Sequence, residues 1–158
     1  MDCSDLNAAK KLMVSACLLG HRCKYNGGDN YSAALAEYLE GREVVPVCPE
    51  LAGGLSVPRR PCELVGGVVM NDRGEILDGE FRAGAAACLQ RALTERVDLA
   101  ILQSRSPSCG VKQIYDGTFS GRLIEGSGVF AAMLAAHGIP AADVSDVEAA
   151  LLRLRETP

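Results

Sequence analysis

The chain has 158 residues, with 16 Lys and Arg against 20 Asp and Glu, and a formal net charge of −4. A chain of this length can bury a core as one domain without disulfides. Its 48% hydrophobic and 23% charged residues are typical of folded proteins and exclude a disordered or fibrous chain. The acidic balance and the lack of Trp argue against a nucleic-acid surface, so we expect a small-molecule partner.

The sequence contains no membrane or export signal that we recognise. No apolar run approaches the ~20 residues that a transmembrane helix needs. The first residues, MDCSDLNAAKK, lack the basic and apolar regions of a secretory signal peptide. We therefore expect one cytoplasmic domain over residues 1–158, with residues 1–10 as an N-terminal extension and with no membrane partner.

Strands and helices alternate in the first part of the chain. Residues 11–19 and 44–48 are short apolar runs that predict buried strands, and residues 32–40 between them have helical spacing. Pro46 predicts that the second strand lies at a sheet edge, because proline cannot donate to a ladder. The Gly- and Pro-rich loop over 49–61 is a candidate binding loop.

The second part continues the alternation and adds two hairpins. A first hairpin is predicted over 65–77, turning at 71–74, and a long helix over 80–96. The remaining predicted elements are a strand over 99–103, a hairpin over 114–124, a helix over 127–137, a strand over 139–144 and a final helix. This order predicts an α/β fold: a single three-layer, Rossmann-like domain with a mainly parallel sheet and two inserted β-hairpins.

Seven cysteines are many for this length, and no CxxC pair occurs. A disulfide framework is not expected in a reducing compartment, so the excess points to metal, catalytic or redox chemistry. Cys17, Cys48 and Cys109 fall at or just past the C-terminal ends of predicted strands, where open α/β sheets bind ligands. Three thiolates there can hold zinc, act as a redox group or ligate an iron–sulfur cluster. Three inert buried cysteines are an equal alternative.

The other four cysteines have weaker indications. Cys3 lies in the N-terminal extension, where we expect a frayed end, and Cys88 lies on an alanine-rich helix, where a core position is expected. Cys23 and Cys62 lie in polar loops and are possible secondary thiols.

Six segments in colinear order resemble a known family: VSACLLG (14–20), CKYNG (23–27), VPVCPELAGGL (45–55), SRSPSCG (104–110), IYDGTFSG (114–121) and GSGVFAAMLAAHGI (126–139). The family is that of the TudS-type thiouracil desulfidases, long classed as a domain of unknown function, and the resemblance covers about residues 12–137. It implies a [4Fe–4S] cluster held by only Cys17, Cys48 and Cys109, with the fourth iron open to the substrate's sulfur. It also implies that Cys62 is not a ligand, and it leaves the role of Cys23 open.

The resemblance implies hydrolytic removal of sulfur from a thiolated pyrimidine, such as thiouracil or 4-thiouridine 5′-monophosphate, to give the oxo-pyrimidine and sulfide. The cluster then acts as a Lewis acid and not as an electron carrier. Glu50, two residues past Cys48, is the predicted base, and an ion pair with Arg59 or Arg60 is its alternative role. Ser106 matches a family serine implicated in substrate handling. Ser108 is either a second substrate contact or a turn residue.

Two groups of residues are candidates for binding a substrate phosphate. Basic residues near the motifs supply charge, chiefly Arg59 and Arg60 but also Arg22, Lys24, Arg105 and Lys112. The turn at Gly126 and Gly128 offers N–H groups at a helix start. The same turn formally matches the dinucleotide fingerprint, with Asp146 at the right distance, but the strand before it is weak. We therefore prefer a phosphate contact, or close packing, to NAD binding.

Two other functions keep the three cysteines. A sensor or scavenger of sulfide or thiols would bind an iron–sulfur cluster or metal without turnover and would not need Glu50. A zinc enzyme would use the same thiolates, although their wide spacing disfavours it.

Overall fold

The computed structural model describes residues 3–156, which form six α-helices, eight strands and one 3-10 helix. In chain order they are α1 (Cys3–Ala8), β1 (Lys11–Ser15), the 3-10 helix (Ala16–Leu19), α2 (Ala33–Leu39), β2 (Glu43–Val47), α3 (Pro49–Ala52), β3 (Cys62–Val65), β4 (Val68–Asn71), α4 (Asp78–Glu95), β5 (Leu99–Leu102), β6 (Gln113–Tyr115), β7 (Leu123–Glu125), α5 (Val129–Ala136), β8 (Ala141–Asp143) and α6 (Val144–Glu156).

The middle layer is a parallel sheet of four strands in the order β2-β1-β5-β8. Met13 of β1 pairs with Val45 of β2 on one side and with Ala100 of β5 on the other. The strand β2 has one sheet neighbour, so Pro46 lies at an edge as predicted. The two hairpins, β3-β4 and β6-β7, are separate antiparallel pairs. The predicted α/β class is confirmed.

Helices cover both faces of the sheet and form two hydrophobic cores. Alternate residues of β1 point to opposite faces: Leu12 and Val14 pack against α1, α2 and α6, whereas Met13 packs against α4 and α5. The largest buried side chains of the second core are Phe81 and Phe130. This three-layer arrangement leaves the C-terminal edge of the sheet open for a site.

Two predicted elements are wrong in their boundaries. The first strand ends at Ser15, and the following residues, Cys17 among them, form the 3-10 helix, which Gly20 closes with a φ of 93°. The predicted first hairpin begins earlier than expected, because β3 and β4 are joined by a turn at Gly66 and Gly67, both at positive φ. The predicted turn at 71–74 is also present, and it brings Ile76 into an antiparallel bridge with Met70. Residues 71–74 form a later tight turn, in which the Gly74 N–H bonds to the carbonyl of Asn71.

Two further expectations for loops and ends need correction. The loop over 49–61 begins with the short helix α3, which Pro49 starts. The described part of the N-terminal extension is not frayed, because Cys3 starts α1 and Leu6 is fully buried against the first core. The expectations for residues 1 and 2 lie outside the described residues. Among residues 3–156, no helix is long and apolar enough to cross a membrane.

Candidate active site

A cavity of about 580 Å³ opens at the C-terminal ends of β1, β2 and β5. Its wall contains five of the seven cysteines, which are Cys17, Cys23, Cys48, Cys62 and Cys109. The structure therefore brings the three predicted ligand cysteines to one place, together with Glu50 and Ser106. Parallel strands that end at one edge explain how residues so far apart in sequence meet.

The 3-10 helix after β1 holds Cys17 at the floor of the cavity. Asn30 fixes it twice: its backbone N–H donates to the Cys17 carbonyl at 2.9 Å, and its side-chain amide donates to the Cys17 sulfur at 3.5 Å. No sequence pattern indicated Asn30, because its contact depends on how the loop after residue 20 folds back.

Cys48 and Glu50 reach the cavity at the start of α3. This helix lies against α4 with almost no space between the two backbones. A Cβ atom on Gly84 of α4 would lie 1.8 Å from the carbonyl oxygen of Pro49, and one on Gly53 would lie 2.0 Å from the carbonyl oxygen of Glu80. Two glycines therefore set the position of the helix that presents Cys48 and Glu50.

The loop after β5 presents Ser106 and Cys109. The Ser106 hydroxyl oxygen accepts the backbone N–H groups of Ser108 and Cys109, both at 3.1 Å. This turn orders the loop and leaves the Ser106 hydroxyl proton available to a ligand in the cavity. Arg105, just before it, has a φ of 64°, a strained conformation of the kind that clusters at functional sites.

Cys23 lies between Cys17 and Cys48 and changes the acidity of both. Its thiol donates toward their sulfurs, which is the main reason that the pKa of Cys17 falls and that of Cys48 falls to about 6. Burial opposes both shifts, and for Cys48 the N–H of Leu51 and the charge of Arg59 assist. The pKa of Cys23 itself is raised, because its proton is held by these two sulfurs. Since one S–H donates one hydrogen bond, Cys23 supports one thiolate at a time.

The remaining thiols of the cavity favour the protonated form. Burial raises the pKa of Cys109 well above its ordinary value, and the charge of Glu50 adds to this shift. Burial also raises the pKa of Cys62 to about 11. Outside the cavity, Cys88 is 3% exposed in the second core, and Cys3 packs against the first core.

Glu50 is buried beside one cation. Its Oε2 lies 3.5 Å from Nη2 of Arg59, and the two side chains are 16% and 9% exposed. Burial raises the pKa of Glu50 to about 7, an effect that Arg59 opposes and Cys48 reinforces. The guanidinium of Arg59 is held in place by the carbonyls of Cys23 and Ser56, at 3.1 and 3.2 Å. A carboxyl group with this pKa can take up and release a proton near neutral pH.

The predicted phosphate contacts are mostly occupied by other partners. Arg60 forms a bidentate ion pair with Asp72, in which its Nε and Nη2 lie 2.5 and 2.9 Å from the two carboxylate oxygens. Arg59 is paired with Glu50. Both arginines line the cavity. Within the described chain, the two lining cations without an ion pair are Lys24 and Arg105.

Gly126 and Gly128 do not line the cavity. The N–H of Gly126 donates to Lys112, and a Cβ on Gly128 would lie 2.5 Å from the Ser108 carbonyl, so the turn serves close packing. Ser108 does not line the cavity either. It is fully buried, and its carbonyl accepts the N–H groups of Phe130 and Ala131 in the first turn of α5, which is a structural role.

The sulfur donors of the cavity fit an iron–sulfur cluster. Soft thiolates select zinc, copper(I) or iron–sulfur clusters. Cys17, Cys48 and Cys109 offer three such donors to one cavity. Between residues 3 and 156, no group of three or more His, Cys, Asp or Glu side chains is already arranged to hold one metal ion.

Three comparisons relate this chain to known proteins. The family model described as 2-thiouracil desulfurase matches residues 12–146. YbbK, an uncharacterized protein of Bacillus subtilis strain 168, is 42% identical over 137 residues, which cover 80% of this chain and 91% of YbbK. The solved structure of a [4Fe-4S]-dependent thiouracil desulfidase, TudS, matches with a TM-score of 0.83 at 36% identity, over 94% of this chain and 99% of that one. Because the family model spans most of the sequence, this chain belongs to the 2-thiouracil desulfurase family.

Proposed function

We propose that this protein is a [4Fe–4S]-dependent desulfidase that hydrolyses a thiolated pyrimidine to the oxo-pyrimidine and sulfide. The main support is that Cys17, Cys48 and Cys109 line one cavity with Glu50, in a chain of the 2-thiouracil desulfurase family. The TudS structure, whose protein is a [4Fe–4S]-dependent thiouracil desulfidase, supports both the cofactor and the reaction.

Cys17, Cys48 and Cys109 are the residues that would hold the cluster. When bound, a cluster with one iron free of protein ligands supplies a Lewis acid that polarises the carbon–sulfur bond of the substrate. The low pKa of Cys48 prepares a thiolate ligand, because only the deprotonated sulfur binds iron. Asn30 orients the Cys17 sulfur by donating to it, as hydrogen bonds to ligand atoms do in metal sites.

Glu50 is the proposed general base. It takes a proton from the water that attacks the ring carbon, and it returns a proton to the departing sulfide or to a ring nitrogen. Burial in the cavity wall makes it basic enough for this transfer, and Arg59 prevents it from becoming permanently protonated. The positions of Arg59 and of α3 keep its carboxyl group in one place.

Ser106 is the proposed substrate donor. Because its oxygen already accepts two backbone N–H groups, its proton is free to bond to an oxygen or a nitrogen of the pyrimidine. The two N–H groups also polarise the hydroxyl and strengthen it as a donor.

The substrate class includes thiouracil, and we propose that nucleotides such as 4-thiouridine 5′-monophosphate also enter the cavity. The unpaired cations Lys24 and Arg105 line it and can bind a phosphate. Arg59 and Arg60 also line the cavity, but each is already paired with a carboxyl group, Arg59 with Glu50 and Arg60 with Asp72. Seven free cysteines support a reducing compartment, so we place the reaction in the cytoplasm.

Replacing Glu50 by Gln tests whether the protein is an enzyme or a binder. If Glu50 moves the proton, Glu50→Gln should keep the iron content and visible spectrum but lower kcat by about 10²–10⁴. Glu125→Gln, at an exposed position of β7, is the matched control and should retain kcat. Parental sulfide release by Glu50→Gln would remove Glu50 from the mechanism. A parent that binds thiouracil without releasing sulfide would indicate a sensor or scavenger.

A further inference from the structure

The loop between β6 and β7 forms part of the cavity wall and contains a strained aromatic residue. Phe119 has a φ of 57°, in the left-handed region that bulky side chains rarely adopt. Phe119 lines the cavity, as do Tyr115 at the end of β6 and Gly121 in the same loop. Such a conformation persists only where the surrounding structure imposes it.

Glu63 of β3 imposes this conformation. Its Oε1 accepts the backbone N–H of Gly117 at 3.0 Å and that of Phe119 at 3.1 Å. Glu63 is 9% exposed, so its carboxyl group is buried and its hydrogen bonds go to these two backbone N–H groups. The close approach of Gly117, whose added Cβ would lie 2.6 Å from the carbonyl oxygen of Leu64, holds the loop against β3.

The other end of this hairpin is attached to the catalytic loop. Ile114 of β6 forms a parallel bridge with Arg105, the residue before Ser106. The wall that contains Phe119 is therefore fixed at Glu63 and again beside Ser106, so its position relative to the proposed substrate donor is set.

Core packing does not explain the strain. Phe119 is partly buried, yet it belongs to neither hydrophobic core of the described residues. It lines the cavity, where a flat apolar ring can offer a ligand a stacking surface. The buried Glu63 and the strained backbone of Phe119 together hold this aromatic residue at the cavity wall. This arrangement indicates a binding role for Phe119.

We propose that Phe119 is the residue on which the pyrimidine ring of the substrate stacks, and that Glu63 is a positioning residue that holds it there. This inference rests on the proposed function, since it takes a pyrimidine as the ligand. It makes Phe119 a specificity determinant that favours planar, aromatic rings over puckered ones.

The planarity of the ligand tests this proposal. Binding of uracil and of 5,6-dihydrouracil, which has a similar outline but a puckered ring, is measured by calorimetry on the iron-loaded protein. The parent should bind uracil about ten-fold more tightly. Phe119→Leu keeps an apolar side chain without a π-face and should bring the ratio near one, with unchanged iron content. Phe119→Tyr keeps the face and should retain the ratio.

Glu63 is tested with a conservative pair. Glu63→Ala removes the acceptor of both N–H groups and should reduce the preference for uracil as Phe119→Leu does. Glu63→Gln keeps an acceptor oxygen in place and should retain the preference for uracil. Its behaviour would show that Glu63→Ala loses the preference because the acceptor is missing and not because the protein fails to fold. In turnover of 2-thiouracil, Phe119→Leu should raise KM by about ten-fold and leave kcat within about two-fold.

An unchanged uracil preference in Phe119→Leu would overturn the proposal, and so would a parent with no such preference or with no uracil binding. A parent that prefers uracil through Phe119 but releases no sulfide from thiouracil would contradict the proposed function and support this inference. The two can therefore fail separately.

Discussion

Gly84 of α4 is the position where one added methyl group should displace α3 and the residues that it presents to the cavity. Gly84→Ala places a Cβ atom 1.8 Å from the carbonyl oxygen of Pro49, whereas real Cβ atoms stay at least 3.0 Å from such neighbours. Because both atoms belong to backbones, α3 must move away from α4 by more than about 1 Å. That movement displaces Cys48 and Glu50, which α3 presents to the cavity.

The expected cost follows from two opposing effects. Alanine in place of glycine favours a helix by about 1 kcal/mol. Forcing an extra carbon into a filled contact costs about 1–3 kcal/mol or more, and here the neighbour is backbone. For a chain of this size 1 kcal/mol corresponds to about 2–4 °C, so Gly84→Ala should lower Tm by several degrees. Gly79→Ala on the same helix, with nothing within 4 Å of its Cβ, should keep or raise Tm.

The assay measures Tm by circular dichroism, and iron content and sulfide release after anaerobic reconstitution, for both alanine variants. Gly84→Ala should lose stability, iron and turnover together, while Gly79→Ala retains all three. If the two variants behave alike, the contact between α3 and α4 does not position the site, and the reasoning above is refuted.

Three further predictions concern the ligands, the substrate and pH. Single replacement of Cys17, Cys48 or Cys109 by Ala should abolish bound iron, whereas Cys88→Ala, in the second core, should retain it. Iron analysis of each variant measures this, and iron retained in Cys48→Ala would refute the ligand set. Joint replacement of Lys24 and Arg105 by Ala should lower kcat/KM for 4-thiouridine 5′-monophosphate at least about ten-fold more than it lowers kcat/KM for the unphosphorylated nucleoside, because a charge-assisted contact is lost. An equal fall in kcat/KM for both substrates would contradict a phosphate site. Burial raises the pKa of Asp143, but hydrogen bonds from Ser104 and Ser145 outweigh it and hold this pKa below its ordinary value. Its stabilisation is therefore present above about pH 4 and lost as the pH falls through the folded pKa, so Asp143→Asn should lower the Tm of iron-free protein at pH 7, and this Tm difference should shrink as the pH is lowered below about 4; a Tm difference that does not change with pH would contradict this.

The sequence alone could place the three proposed ligand cysteines together, because strand ends of a parallel sheet meet at one edge. The positions of the strands are enough to predict that these cysteines lie close together, and the paths of the loops are not needed. The sequence therefore located Cys17, Cys48 and Cys109 and left Cys23 without a role. Cys23 reaches the same cavity because the loop after residue 20 folds back, and the contacts that direct it there are distant in sequence.

The errors of the sequence analysis have similar physical causes. Residues 65–77 contain two turn signals, and both form turns. Gly66 and Gly67 form the two-residue turn between β3 and β4, because both can adopt positive φ, and residues 71–74 turn the chain so that Ile76 bridges Met70. From the sequence, an ion pair between Arg59 and Glu50 is an alternative to catalysis by Glu50. The structure makes the two roles compatible, since Arg59 holds the carboxyl group that we propose as the base.

We propose above that the iron-loaded protein hydrolyses the carbon–sulfur bond of a thiopyrimidine. The most direct measurement quantifies sulfide and uracil formed from 2-thiouracil under anaerobic conditions, for protein with and without its iron. The iron-loaded protein alone should form equal amounts of sulfide and uracil over many turnovers, without added reductant. Turnover by iron-free protein at the same rate, or iron-loaded protein that forms no uracil, would contradict it.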